Sequence, residues 1–241
     1  MNKVAAFYQF LPLAEPEAVR VEFSRQCQEL GLFGTILVSP EGVNGTLAGA
    51  PAAIDGFVAA LRGQTPCRPA FAQLEVKFSQ AGVQHFDRLK IRVKPEIITF
   101  GQTLAPGQQV GRHVPAQAWN ALLDDPQVLL LDTRNGFEVE MGSFIGARNP
   151  GLTSFSGFKT FVEAQLSAEK DRKIAMFCTG GIRCEKASAY MLQAGFTRLF
   201  QLQGGILRYL EQVPAPQSKW RGDCFAFDQR VALGHGLQQR P

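Results

Sequence analysis

A cysteine at the end of an apolar run is followed at once by two glycines and an arginine, in Phe177-Cys178-Thr179-Gly180-Gly181-Ile182-Arg183. Residues 173–177 read as a strand and residues 183–194 as a helix, so Cys178 falls at a strand-to-helix turn. Glycine accepts positive φ, which lets such a turn wind tightly. The following helix aims unpaired N–H groups and the positive end of its dipole at the sulfur. That environment lowers a thiol pKa and makes Cys178 a thiolate nucleophile or a sulfur carrier. Thr179, Gly180, Gly181, Ile182 and Arg183 would form an anion cradle from loop amides and a guanidinium. The competing reading is a small hydrophobe closing a buried strand, and the glycines and arginine weigh against it.

Four residues separate Cys178 from Arg183. Cysteine-dependent phosphatases use one more, so phosphatase chemistry is disfavoured. A loop this short resembles the rhodanese family, whose cradle suits sulfur. Other stretches carry the same resemblance across residues 115–217: Leu131-Asp132-Thr133-Arg134-Asn135 with Glu138, Gly142-Ser143-Phe144-Ile145-Gly146-Ala147, and Gly204-Gly205-Ile206 with Tyr209-Leu210. Ser143 stands where the family usually has histidine, and Tyr209 takes the aromatic place. Asp132 and Arg134 are expected to brace the loops beside the cradle, with a surface or capping ion pair as the alternative.

The elements around the loop fit that fold. Continuous apolar strands at 128–131, 174–177 and 199–202 alternate with helices at 115–123, 158–166 and 183–194. That alternation predicts a parallel sheet covered on both faces. The first hundred residues read differently. Strands at 4–10, 34–38, 45–48, 74–78 and 89–93 and helices opening at Pro16 and Pro51 give the order βαββαβ plus a strand. The expected fold is therefore an α/β chain: a ferredoxin-like or acylphosphatase-like α+β sandwich at 1–100, a linker at 101–114, a rhodanese-like domain at 115–217 and a C-terminal tail at 218–241.

The chain has 241 residues, 45% hydrophobic and 19% charged, with a net charge of +4. This suits two modest cores and is compatible with an RNA partner without pointing to one. No apolar stretch approaches the ~20 residues of a membrane span, and no signal peptide is evident. Five cysteines at irregular spacing suggest no disulfide framework, so a reducing cytoplasm is expected.

Residues 39–49, Ser-Pro-Glu-Gly-Val-Asn-Gly-Thr-Leu-Ala-Gly, suit a tight turn around Val43-Asn44, and locally a structural hairpin is the simpler reading. Lys90, Arg92 and Lys94 recur at a period of two on one sheet face, either to neutralise phosphates or simply as a solvated face. Phe86 and Phe100 could stack a base but are more often core. Taken in order, residues 41–47, 89–98, 132–135, 178–187 and 220–231 resemble the rhodanese-related tRNA uridine hydroxylases. The similarity covers nearly the whole chain.

That resemblance implies an oxidoreductase that converts the wobble uridine of tRNA to 5-hydroxyuridine, with molecular oxygen as co-substrate. It also implies tRNA contacts from Glu41, Asn44, Lys90, Arg92 and Lys94. A short form without the cysteine-rich extension of many members is expected. Cys184 and Cys224 lack zinc-site spacing, and His85, His113 and His235 are scattered, so neither a metal nor another cofactor is expected. The alternative is a sulfurtransferase carrying sulfane sulfur on Cys178, with Cys184 as a relay or merely a helix-packing residue.

Overall fold

The computed structural model describes residues 2–63, 71–81, 86–228 and 230–240. It divides into two compact units, Met1–Ile98 with Asp228–Arg230, and Thr99–Phe227 with Val231–Pro241.

The first unit contains β1 (Asn2–Phe10), α1 (Pro16–Glu29), β2 (Phe33–Ser39), β3 (Gly42–Gly49), α2 (Pro51–Arg62), β4 (Glu75–Ala81) and β5 (Leu89–Val93). Its sheet runs β4-β1-β3-β2-β5. β1 lies antiparallel to β3 and β4, and β5 lies parallel to β2 at the edge. Both helices begin on proline, whose missing N–H is harmless in the first turn. Alternate strand positions then meet the helices: Phe7, Ile36, Val43 and Leu47 pack with Phe23 and Cys27 of α1 and with Phe57 and Leu61 of α2.

The hairpin turn differs from the expected one. Ser39 pairs with Gly42, so the turn is Pro40-Glu41, and Val43-Asn44 lies inside β3. The cause is pairing on both sides. β3 is matched to β1 from Gly42 to Gly49 and to β2 from Gly42 to Ala48, which satisfies more backbone groups than a turn at Val43-Asn44 would. Asp228 and Arg230 form a buried ion pair, and Arg230 donates to the Ser79 hydroxyl, which ties this short segment to β4.

The second unit contains β6 (Arg112–Val114), α3 (Ala116–Leu123), β7 (Leu129–Asp132), α4 (Gly136–Met141), β8 (Gly142–Phe144), α5 (Phe158–Gln165), β9 (Lys173–Phe177), α6 (Ile182–Gln193), β10 (Arg198–Leu202) and α7 (Gly205–Gln212). Three short strands follow: β11 (Trp220–Gly222), β12 (Cys224–Phe225) and β13 (Ala232–Leu233). The main sheet, β6-β10-β9-β7, is wholly parallel. Its edge strand β6 lies within residues 101–114, read from sequence as linker; three residues are too few to show a period.

Most of the stretch beyond 217, read as a tail, is built into this unit, namely residues 218–227 and 231–240. β11 pairs antiparallel with β8, and β12 with β13. The Tyr209 hydroxyl donates to Asn120 Oδ1 at 2.6 Å and accepts the Lys219 N–H at 2.8 Å, which fixes the entry to β11. Trp119, Phe144, Phe177, Tyr209 and Trp220 share one core. Phe100 stacks on Phe155 with centroids 4.7 Å apart and Phe86 is partly buried against Val4 and Ala48, so both belong to cores.

Candidate active site

Three strands of the parallel sheet end at the same edge, where open α/β folds bind ligands. β9 delivers Cys178, β7 delivers Asp132, Thr133 and Arg134, and β10 leads to Gly204-Gly205 and α7. Gly181 adopts φ +101°, which turns the chain from β9 into α6 within four residues of Phe177. The Gly181 N–H donates to Cys178 Sγ at 3.1 Å.

Cys178 is fully buried. Burial alone would push its pKa up. A hydrogen bond from the Cys184 thiol, the charge of Arg183 and the N–H groups of Arg183 and Cys184 outweigh burial and bring the pKa from 9.0 down to about 6. The sulfur is thus held as a thiolate near neutral pH. Cys184 moves the other way: burial and the neighbouring Cys178 push its pKa well up, so it stays a thiol donor. Its sulfur also lies 3.7 Å from the Thr133 hydroxyl.

Arg183 stands beside the sulfur, but its guanidinium is turned to a carboxylate. Its two terminal nitrogens donate to Glu138 Oε2 at 2.6 Å and Oε1 at 2.7 Å. Thr179 Oγ1 donates to Glu138 Oε1 at 3.2 Å, closing the far side of the loop. The expected anion-holding arm of Arg183 is therefore a clamp, and what it gives the sulfur is its charge and its N–H. The physical reason is burial: a guanidinium removed from water needs a counter-charge within reach. Burial opposes ionisation of Glu138, yet Arg183 holds its carboxyl below the usual range. Thr179 serves the clamp, Gly181 serves the sulfur, and Ile182 begins α6.

Glu138 is the functional residue whose role the sequence reading missed. A usable signal was present: Asn135 and Glu138 have capping-box spacing, and the Asn135 N–H donates to Glu138 Oε2 at 3.2 Å at the start of α4. Gly205 is a second. Its φ is +67°, and a Cβ there would lie 2.5 Å from the Cys178 carbonyl oxygen and 2.6 Å from that of Thr179. The N–H groups of Ile206 and Leu207 donate to these same two carbonyls. Only glycine lets α7 approach the loop this closely.

Asp132 and Arg134 are buried beneath the loop. Arg134 binds Asp132 through Nε at 2.9 Å and Nη2 at 2.6 Å and reaches the carbonyls of Glu138 and Gly142. Ser143 Oγ donates to Asp132 Oδ2 at 2.8 Å. Arg134 lies over the Trp220 ring at 5.2 Å, and this joins β11 to the loop's support. Cys224 is buried nearby, and burial pushes its thiol up to about 12, which makes it inert.

In the first unit Glu41 is buried and Asn44 is half-buried. Glu41 Oε1 accepts the Ile97 N–H at 2.8 Å, and Asn44 Nδ2 donates to the Ile97 carbonyl at 2.9 Å. Together they fasten the buried Ile97 to the sheet. On β5, Leu89 and Ile91 pack against the core, and alternation puts Lys90 and Arg92 on the opposite face. Lys90 is half-buried, and Arg92 and Lys94 are exposed. Among the described residues no three His, Cys, Asp or Glu side chains cluster as a metal site, and no helix is long and apolar enough to cross a membrane. His113 pairs with Glu185 at 2.9 Å, and His85 lies outside the described residues.

Residues 2–97 match a UPF0176 acylphosphatase like domain, and residues 115–212 match a rhodanese-like domain. A tRNA uridine(34) hydroxylase of Bradyrhizobium diazoefficiens is 54% identical over 100% of this chain and 94% of its own. One from Deinococcus radiodurans is 50% identical over 98% of this chain and 77% of its own. Among solved structures, the Alr3790 protein of Anabaena sp. is 22% identical with a TM-score of 0.38, over 45% of this chain and 91% of that one.

Proposed function

The chain belongs to the tRNA uridine(34) hydroxylase family, and on that premise we propose that it hydroxylates C5 of uridine 34 in tRNA, using the Cys178 thiolate. The observation that carries the assignment of Cys178 is the convergence of the Gly181, Arg183 and Cys184 N–H groups on one sulfur, held ionised near neutral pH.

Uracil is electrophilic at C6, so a thiolate adding there makes C5 nucleophilic toward an oxygen species. Loss of the C5 proton and departure of the thiolate then restore the ring with C5–OH in place of C5–H. Molecular oxygen is the co-substrate in this reading: one atom enters the product, and the other leaves as water with two electrons and two protons from a reductant. The exposed Arg92 and Lys94, with Lys90 beside them, suit phosphate neutralisation along the RNA backbone. The cytoplasm is the compartment in which such a substrate and a reduced thiol coexist.

The test is tRNA nucleoside mass spectrometry in a strain lacking every route to 5-hydroxyuridine, supplied with the wild-type chain or with Cys178→Ser. The wild type restores 5-hydroxyuridine derivatives, and the serine variant does not. Restoration by the serine variant would overturn the assignment of Cys178, and failure of the wild type would overturn the activity.

A further inference from the structure

We propose that Phe137, Phe225 and Phe227 form an aromatic ledge beside the thiolate loop that stacks nucleobases of the tRNA anticodon loop and positions uridine 34 over Cys178. The inference rests on the hydroxylase reading above and adds to it the residues that would hold the base.

Phe227 is 62% exposed and Phe137 is 48% exposed. A folded chain gains by covering such rings, so their exposure asks for a partner. They are also joined. Phe225 meets Phe137 edge-on with centroids 5.2 Å apart, and it meets Phe227 edge-on at 4.9 Å. Edge-to-face packing of this kind fixes ring orientation and leaves ring faces available.

The ledge is anchored to the machinery that holds the thiolate. The Arg183 guanidinium lies 5.9 Å from the Phe227 ring centroid, within cation–π range. Phe137 directly precedes Glu138, whose carboxylate clamps that same guanidinium. Phe225 lies on β12 next to the buried Cys224.

A planar, unpaired pyrimidine is the occupant this chemistry favours. Enzymes that react with a base must take it out of its stack, and aromatic side chains replace the lost stacking without demanding a particular sequence. Cys178 itself is enclosed, so the base needs a surface beside the loop, and Phe227 lies against Arg183 of that loop. Exposed Arg221, on β11 of the same unit, adds positive charge suited to the phosphates that accompany the base.

The experiment uses the full chain, an anticodon stem-loop RNA, and the same RNA made abasic at position 34 and its 3′ neighbour. Phe227→Leu keeps apolar bulk and removes the ring face. It is expected to raise KM for the stem-loop by about 10-fold, acting on KM more than on kcat, while the Cys178 titration stays in place. Phe227→Trp should restore the wild-type KM, and its indole fluorescence should be quenched by the intact stem-loop more than by the abasic one. Phe137→Leu should act in the same direction. A Phe227→Leu enzyme with the wild-type KM, or equal quenching by both RNAs, would overturn the ledge. So would an effect of Phe227→Leu that appears only as a changed oligomeric mass, since the rings would then face another copy of the chain. If the wild type makes no 5-hydroxyuridine, the activity fails on its own, and the quenching comparison still decides the ledge.

Discussion

Two glycine-bearing segments of the chain are built from similar ingredients, and they put their polar groups to opposite use. Residues 40–45 follow a strand and carry a glutamate, two glycines and an asparagine; residues 178–183 follow a strand and carry a cysteine, two glycines and an arginine. In the first, both polar side chains hold one buried residue, Ile97, through its N–H and its carbonyl. In the second, backbone N–H groups turn toward one side chain, the sulfur of Cys178. The partner element decides which happens. A neighbouring strand on each side takes up the backbone groups of residues 42–45 in a ladder, whereas a helix start leaves its first N–H groups for the sulfur.

Three substitutions probe that contrast. Glu138→Gln should have the largest effect. It leaves the Arg183 guanidinium buried without its counter-charge, which costs about 3–5 kcal/mol of stability, and urea unfolding of the variant should show a correspondingly lower midpoint. A midpoint equal to that of the wild type would mean the clamp is not what holds the loop. Gly205→Ala comes next. The new Cβ would press on the Cys178 and Thr179 carbonyls at 2.5 and 2.6 Å; the strain costs about 1–3 kcal/mol. A displaced sulfur should also lower kcat by about 100-fold.

Much of this was legible in the residues. The two fold types follow from strand patterning, because residues 128–131 are continuously apolar and β7 is flanked for burial on both faces, while residues 89–93 alternate. The activated cysteine follows from its place before two glycines and a helix. The clamp was harder to read, because Glu138 lies 45 positions from Arg183 and only the parallel pairing of β7 with β9 brings them together. The resemblance implies tRNA contacts from Glu41 and Asn44; their bonds to Ile97 span 56 and 53 positions, which no local pattern shows. Cys224 and Phe225 lie in the two-residue strand β12, too short to carry a period, while Phe137 lies in α4 and Phe227 follows β12.

The smallest effect is expected from Glu41→Gln. An amide oxygen can still accept the Ile97 N–H, so the loss should be about 1 kcal/mol, with kcat and the KM for tRNA unchanged. A raised KM would return Glu41 to the RNA-contacting surface and weaken the contrast between the two segments.

The most direct measurement follows 5-hydroxyuridine formation by the purified chain across pH, alongside the ultraviolet absorbance of the Cys178 thiolate. The thiolate is the active form and its pKa is lowered, so activity should be lost as pH falls through about 6 and be full above it. Product formation and absorbance should rise together, and Cys178→Ser should show neither. Product from the serine variant, or a rate that stays flat while the thiolate titrates, would contradict the account.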